Sequence, residues 1–164
     1  TGEIDGLPWK NIDFERRQVI VDQAVVNGVI GETKTTGSNR IIQMNQLVYD
    51  ALIEQQSLTK HQSEFVFSTK AGTPLNHRNV TKRVWYPLLR YLELYKRNPY
   101  QSRHTAATLW LAAGESPEWI AAQMGHSNTK MLFTVYSRYV PNLTRQDGSA
   151  LDKLLKDRGI LQNL

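Results

Sequence analysis

Four polar side chains fall in places where chemistry could be done, and each has an ordinary reading beside the chemical one. Arg103 and His104 open a helix, where a cation opposes the helix macrodipole. A local anion would compensate, and a phosphate is the obvious candidate; equally, Arg103 can simply point into solvent. His126 stands just past Gly125 in MGHSN, a helix junction where histidine is more often a hydrogen-bonding residue than a catalyst. Tyr136 follows Leu132 and Val135 and precedes Tyr139 at i, i+3, i+4, i+7 spacing, so periodicity alone places it in an apolar stripe facing the core. Trp85, Trp110 and Trp119 read as core in the same way. Lys34 and Arg40 flank TTGSN in a predicted hairpin loop, where basic residues ordinarily serve solubility. His61, His77, His104 and His126 show no HxxH or HExxH spacing, and no dense acidic cluster suggests a two-metal nuclease site. With no cysteine there is no disulfide framework, thiol nucleophile or thiolate metal site.

The elements that must carry these residues are legible from period and punctuation. The opening TGEIDGLPW reads as the end of a helix running into a turn at Gly6 and Pro8. Residues 16–26 and 40–44 are rich in Val and Ile, and Gly28, Gly31 and Gly37 supply turns, predicting two or three antiparallel strands. From Asn45, a helix cap, the stripe Leu47, Val48, Ala51, Leu52 is helical. EFVFS, residues 64–68, is a short strand candidate. Residues 79–96 read as a helix that Pro87 must kink or split. Helices follow over 102–113, ending at Gly114; from the Ser116 cap with Pro117 at its first position to Gly125; over 128–140; and over 150–158. A small antiparallel sheet near the N-terminus with helices after it is an α+β domain that is mostly helical.

At 164 residues one domain is the default. Hydrophobic residues at 40% and charged residues at 21% suit a chain that buries a core, which excludes disordered and fibrous classes. No run approaches a membrane span, and the first ten residues have neither the basic nor the apolar region of a signal peptide. The expectation is a cytoplasmic protein with no membrane partner. Twenty Lys and Arg against 15 Asp and Glu, a net charge of +5, lean toward an anionic partner.

Taken in order, TGEIDGLPWKNID, TKTTGSNRIIQM, SRHTAATLWLAAG, MGHSN and VYSRYV resemble the catalytic domain of tyrosine recombinases, the phage-integrase family. The resemblance covers the chain from Thr1 to about Val140, including the ten positions from His126 to Tyr136, and it reverses the reading of Tyr136. By resemblance Tyr136 matches the nucleophile, Arg103 the second arginine, Lys34 the hairpin lysine, and His126 the His/Trp position after the glycine. Glu3 matches the acidic residue that follows the first arginine. Two departures stand out. That first arginine would precede Thr1, so the chain is expected to be a catalytic-domain fragment (residues 1–164, with 141–164 as a C-terminal tail) of a longer integrase that carries N-terminal core-binding and arm domains. The histidine usual three positions before the second arginine is here Tyr100, which can donate a hydrogen bond but has no cationic form. His104 stands near enough in sequence to help, although one helical step turns it about 100° from Arg103.

The resemblance implies site-specific recombination of DNA, for integration or excision of a phage or mobile element. Tyr136 would attack the scissile phosphorus, giving a 3′-phosphotyrosyl link and a free 5′-hydroxyl without ATP. Arg103 and His126 would hold the developing negative charge, Lys34 would protonate the leaving oxygen, and no cofactor is required. Implied partners are double-stranded DNA attachment sites and further copies of the protein in a tetrameric synapse, on the bacterial nucleoid. Arg40, Lys82, Arg83 and Arg138, with Arg16 and Arg17, are candidates for DNA contacts. Two rivals stand beside this reading: a non-catalytic DNA-binding module with the same fold, and a type IB topoisomerase-like relaxing enzyme, which shares the chemistry but would not require synapsis.

Overall fold

The computed structural model of the chain describes residues 2–26, 28–32, 39–136 and 149–158. A short helix α1 (Gly2–Asp5) and a 3₁₀ turn (Trp9–Asn11) lead into five strands: β1 (Ile12–Asp13), β2 (Gln18–Val21), β3 (Gln23–Val26), β4 (Val29–Glu32) and β5 (Arg40–Gln43). They form two antiparallel sheets, β1-β2-β5 and β3-β4, so there are more strands than the two or three expected. The β region over 16–26 is two strands, parted at Asp22. The side-chain amide of buried Asn11 pins the break by donating to the Ile20 carbonyl at 3.0 Å and to Asp22 Oδ1 at 2.7 Å. In β2, Val19 and Val21 are buried and Ile20 is exposed, the period-two alternation of a strand with one face on the core.

One expectation changes here. Strand β4 pairs with β3, and β5 pairs with β2 through Gln18↔Gln43 to Val21↔Arg40. Residues 33–38 therefore join strands of different sheets, where a hairpin turn between paired strands was expected. Lys34 itself lies outside the described residues.

Helix α2 (Gln46–Thr59) starts as read: Asn45 Oδ1 accepts from the Val48 N–H at 2.9 Å. EFVFS forms no strand. It has isolated bridges at Phe65 and Ser68, and Val66 is buried and donates its N–H to the Leu7 carbonyl at 2.8 Å, tying the segment to the N-terminal turn. Pro87 neither splits nor ends its helix. The helical path runs through α3 (His77–Val80), a π-helical stretch (Thr81–Trp85) and α4 (Tyr86–Tyr91). Proline has no N–H to give the preceding turn, and the widened π turn, closed by the Tyr86 N–H on the Thr81 carbonyl, lies immediately before it. The helix stops at Tyr91, short of the expected Lys96. Helices α5 (Gln101–Ala113), α6 (Pro117–Met124), α7 (Lys130–Tyr136) and α8 (Ser149–Asp157) complete the order. Residues 137–140, expected to continue α7, lie outside the described residues, as do 141–148 and 159–164 of the expected tail. None of the described helices is long and apolar enough to cross a membrane.

Two apolar clusters hold these elements. Trp9, Val19, Val21, Met44, Leu52 and Val66 join the first sheet to α2. Ala107, Leu111, Ile120, Ala121, Met124, Leu132 and Tyr136 join α5, α6 and α7, with Trp110 and Trp119 packed edge-to-face at 5.5 Å on its border. The second cluster fixes α5 and α7 side by side, and that packing sets the site.

Candidate active site

Helix α6 ends on Gly125, whose φ of +68° and ψ of 35° are left-handed, a conformation that costs a residue with a Cβ about 1–2 kcal/mol. Two bonds close the end as a Schellman motif: the Gly125 N–H reaches the Ala122 carbonyl at 3.1 Å and the His126 N–H reaches that of Ala121 at 2.9 Å. The backbone of His126 is thus fixed one residue past the helix. Its Nε2 lies 2.9 Å from Arg103 Nη2, and Arg103 also donates through Nη2 to the Met124 carbonyl. A guanidinium can only donate, so Nε2 is the acceptor and the imidazole proton sits on Nδ1. That Nδ1 is buried and has no hydrogen-bond partner among the described residues. Burial, with the charges of Arg103 and then Arg40, holds the His126 pKa below the usual 6.5.

Arg103 is half-buried near the start of α5. Arg103 does not simply point into solvent: its guanidinium turns inward and is held by carbonyl and imidazole acceptors. Those partners are neutral, and among the described residues no carboxylate pairs directly with its charge. An anion bound there would supply what the helix N-terminus and these acceptors do not.

The adjoining residue faces α7. His104 Nδ1 is 2.6 Å from the Tyr136 hydroxyl, the two rings tilted at 48° with centroids 5.6 Å apart. Tyr136 is 4% exposed, so the stripe that periodicity assigned holds through Leu132, Val135 and Tyr136, with Leu132 fully buried; Tyr139 lies outside the described residues. Burial raises the pKa of its phenol above 10.0, while the nearby Arg103 charge pulls the other way. Tyr100 is half exposed, with its ring edge-on to His104 at 5.5 Å. His104, Tyr136, Lys96, Arg97 and Gln101 line a cleft of about 830 Å³.

Below this group runs a buried strut. Arg40, with a side chain only 11% exposed, makes a bidentate pair with Glu3 at 2.9 and 2.7 Å and donates through Nε to the Gln123 carbonyl at 3.0 Å. The hydrogen bond from Arg40 lowers the Glu3 pKa below 4.5 against the opposing effect of burial, with smaller help from the charges of Arg40 and Arg103. Gln123, itself buried, accepts the Gln43 N–H on Oε1 at 2.9 Å. Glu3, Arg40 and Gln123 thereby bind α1, β5 and α6 into one support for His126. Arg40, expected among the DNA contacts, has its guanidinium on a carboxylate and a carbonyl in this structure. Lys82 and Arg83 are exposed on the π-helical stretch. Arg16 is exposed beside Asp13, and Arg17 donates to Gln46 Oε1 at 2.8 Å with its guanidinium over the Tyr49 ring. Arg138 lies outside the described residues.

The structure therefore brings together Arg103, His126, Tyr136, Tyr100, Glu3 and Arg40. Two residues were underrated from sequence. The rotation that turns His104 from Arg103 is what aims it at Tyr136, and the i, i+4 pair of Tyr100 and His104 was the available signal. Gln123 gave none, because a glutamine in a helix of this kind is ordinarily exposed.

A model of the phage integrase family matches residues 1–142. The chain is 27% identical to the prophage integrase IntR of Escherichia coli K12, over 94% of the chain and 43% of that protein. It is 23% identical to a tyrosine recombinase XerC-like protein of Caldanaerobacter subterraneus, over 93% of the chain and 45% of that protein. Among solved structures, the integrase of transposon Tn1549, in complex with circular intermediate DNA, superposes with a TM-score of 0.74 at 26% identity, covering 94% of this chain and 54% of that one. The XerA recombinase shares the fold, with a TM-score of 0.66 at 18% identity. The chain spans less than half the length of these curated relatives. Site geometry and comparisons agree on one assignment: this chain belongs to the phage integrase family.

Proposed function

We propose that this chain is the catalytic domain of a longer site-specific DNA recombinase that cuts and rejoins DNA through a 3′-phosphotyrosyl intermediate. The observation that carries the reading is the placement of two groups around two consecutive residues of α5. Arg103 is bonded to His126 on one side, and His104 is bonded to Tyr136 on the other. A phosphodiester set against Arg103 would take over the guanidinium N–H groups now given to the Met124 carbonyl and to His126 Nε2. Tyr136 Oη then attacks phosphorus, the P–O5′ bond breaks, and the 5′-oxygen leaves with a proton from Lys34. Arg103 holds the charge that gathers on the non-bridging oxygens, and His126 joins it once Arg103 releases Nε2 and the imidazole proton moves from Nδ1 to that atom; a single such donor typically contributes ~10²–10³ in rate. Tyr100 supplies a hydrogen bond at the rim, and Glu3 keeps Arg40 in the strut beneath. The energy of the broken ester is kept in the tyrosyl link, so rejoining needs no external energy source.

The partner is double-stranded DNA, bound through phosphates by Lys82, Arg83 and Arg138, with further copies of the protein assembling on paired sites. A titratable tyrosine buried against an imidazole beside an arginine speaks against the non-catalytic binding module, which needs none of the three. The test is a nicked suicide duplex, its sequence first obtained by covalent capture from a random-sequence library, offered to the full-length protein. A denaturant-resistant adduct that is lost in Tyr136→Phe supports the reading. Absence of an adduct, with DNA binding intact, returns the chain to the binding module.

A further inference from the structure

We propose that His104 is the general base that takes the phenolic proton of Tyr136 during attack on the phosphate; this rests on the function proposed above. Tyr100, which by the resemblance stands where a histidine is usual, has no basic atom suited to the task. One helical turn on, His104 places Nδ1 2.6 Å from Tyr136 Oη, within the reach a general base requires. No other nitrogen or oxygen among the described residues is recorded within hydrogen-bond distance of that hydroxyl. Burial favours Tyr136 as the neutral phenol, which has a proton to give, and the proposed role takes the His104 tautomer whose Nδ1 accepts it. The Tyr100 ring, edge-on at 5.5 Å, limits the imidazole's swing. His104 also lines the open cleft, which gives the captured proton a way to solvent. The step balances: the Tyr136 Oη–P bond forms, the P–O5′ bond breaks, the phenolic proton passes to His104 Nδ1, and the 5′-oxygen takes a separate proton from Lys34. In rejoining, the 5′-hydroxyl attacks and His104 returns its proton to the departing phenolate.

Among the described residues, the charged and titratable groups around His104 are Tyr136 from α7, Arg103 on its own helix, Tyr100 at that helix's cap, and Lys96 and Arg97 across the cleft. The experiment measures single-turnover adduct formation by the full-length protein on the captured suicide duplex from pH 5 to 9. His104→Asn retains an acceptor near the Nδ1 position but cannot titrate, and His104→Ala opens space for added imidazole. We expect His104→Asn to lose ~10²-fold or more and to lose the acid limb of the profile, with imidazole partly restoring His104→Ala. A second substrate carries sulfur in place of the bridging 5′-oxygen and so needs no leaving-group proton. The His104→Asn deficit should persist on it, whereas a deficit erased by sulfur would reassign His104 to the leaving group and overturn the proposal. His104→Asn within about threefold of wild type, with an unchanged profile, would overturn it too, since general bases contribute ~10²–10⁴. In both cases wild-type adduct that depends on Tyr136 keeps the proposed function standing. No adduct from wild type removes the function and the proposal together.

Discussion

Gly125→Ala should be the costliest small substitution near the site, and Gly114→Ala isolates why. Both glycines end a helix in the left-handed region, with φ of +68° and +88°. A Cβ at Gly114 meets nothing within 4 Å, so that variant reports the backbone penalty alone, ~1–2 kcal/mol. At Gly125 the Cβ meets Arg40 Nη1 at 3.1 Å, Cζ at 3.2 Å and Nε at 3.3 Å. Arg40 cannot yield freely, because Glu3 and the Gln123 carbonyl hold three of its N–H groups. A charge-assisted hydrogen bond contributes ~1.5–3 kcal/mol. Glu3 is 35% exposed, so water replaces part of the loss and about 1 kcal/mol is the reasonable increment. The sum is ~2–3 kcal/mol for Gly125→Ala, about 1 kcal/mol beyond Gly114→Ala, equivalent to ~2–4 °C in Tm for a chain of this size. Urea unfolding with a shared slope measures both variants. In an Arg40→Met background Gly125→Ala should cost no more than Gly114→Ala, as expected for groups in contact. Equal losses at the two glycines would refute the strut.

Three further outcomes follow from the same geometry. Glu3 has its pKa lowered in the folded chain, so its contribution is present above 4.5 and is lost as pH falls through the lower folded value; the stability gap between wild type and Glu3→Gln should close over that acid range and stay constant from pH 5 to 8 in urea titrations. Leu132→Ala empties a fully buried position between α5, α6 and α7, and should cost ~2–5 kcal/mol in unfolding, with loss of the Tyr136 environment visible in near-ultraviolet circular dichroism. Lys82→Ala and Arg83→Ala, both exposed, should leave stability within ~0.5 kcal/mol and each flatten the log–log salt dependence of DNA binding by ~0.9.

Local signals proved the most readable because their causes are local. The Asn45 and Ser116 caps and the Gly114 and Gly125 stops act through neighbouring backbone groups, and all four ends lie where those residues put them. EFVFS has the composition of a strand but no partner strand, and pairing is a property of the fold. Pro87 was read as a break because it removes a hydrogen bond, but a π turn just ahead of it lets the helical path continue. Arg40 looked like any loop cation, since nothing in its neighbourhood tells that Glu3, 37 residues earlier, lies against it. For the site, the order of motifs pointed to Arg103, His126 and Tyr136. Helix rotation was weighed for His104 against one partner only, and α7 supplied the other.

The most direct test of the account is to digest the trapped protein–DNA adduct and locate the linked residue by mass spectrometry. The account predicts one nucleotide-bearing peptide, linked through Tyr136 to a 3′-phosphate, with a free 5′-hydroxyl on the other strand end, and no such peptide from Tyr136→Phe. Linkage through another residue, a 5′-phosphate attachment, or an adduct surviving Tyr136→Phe would contradict it.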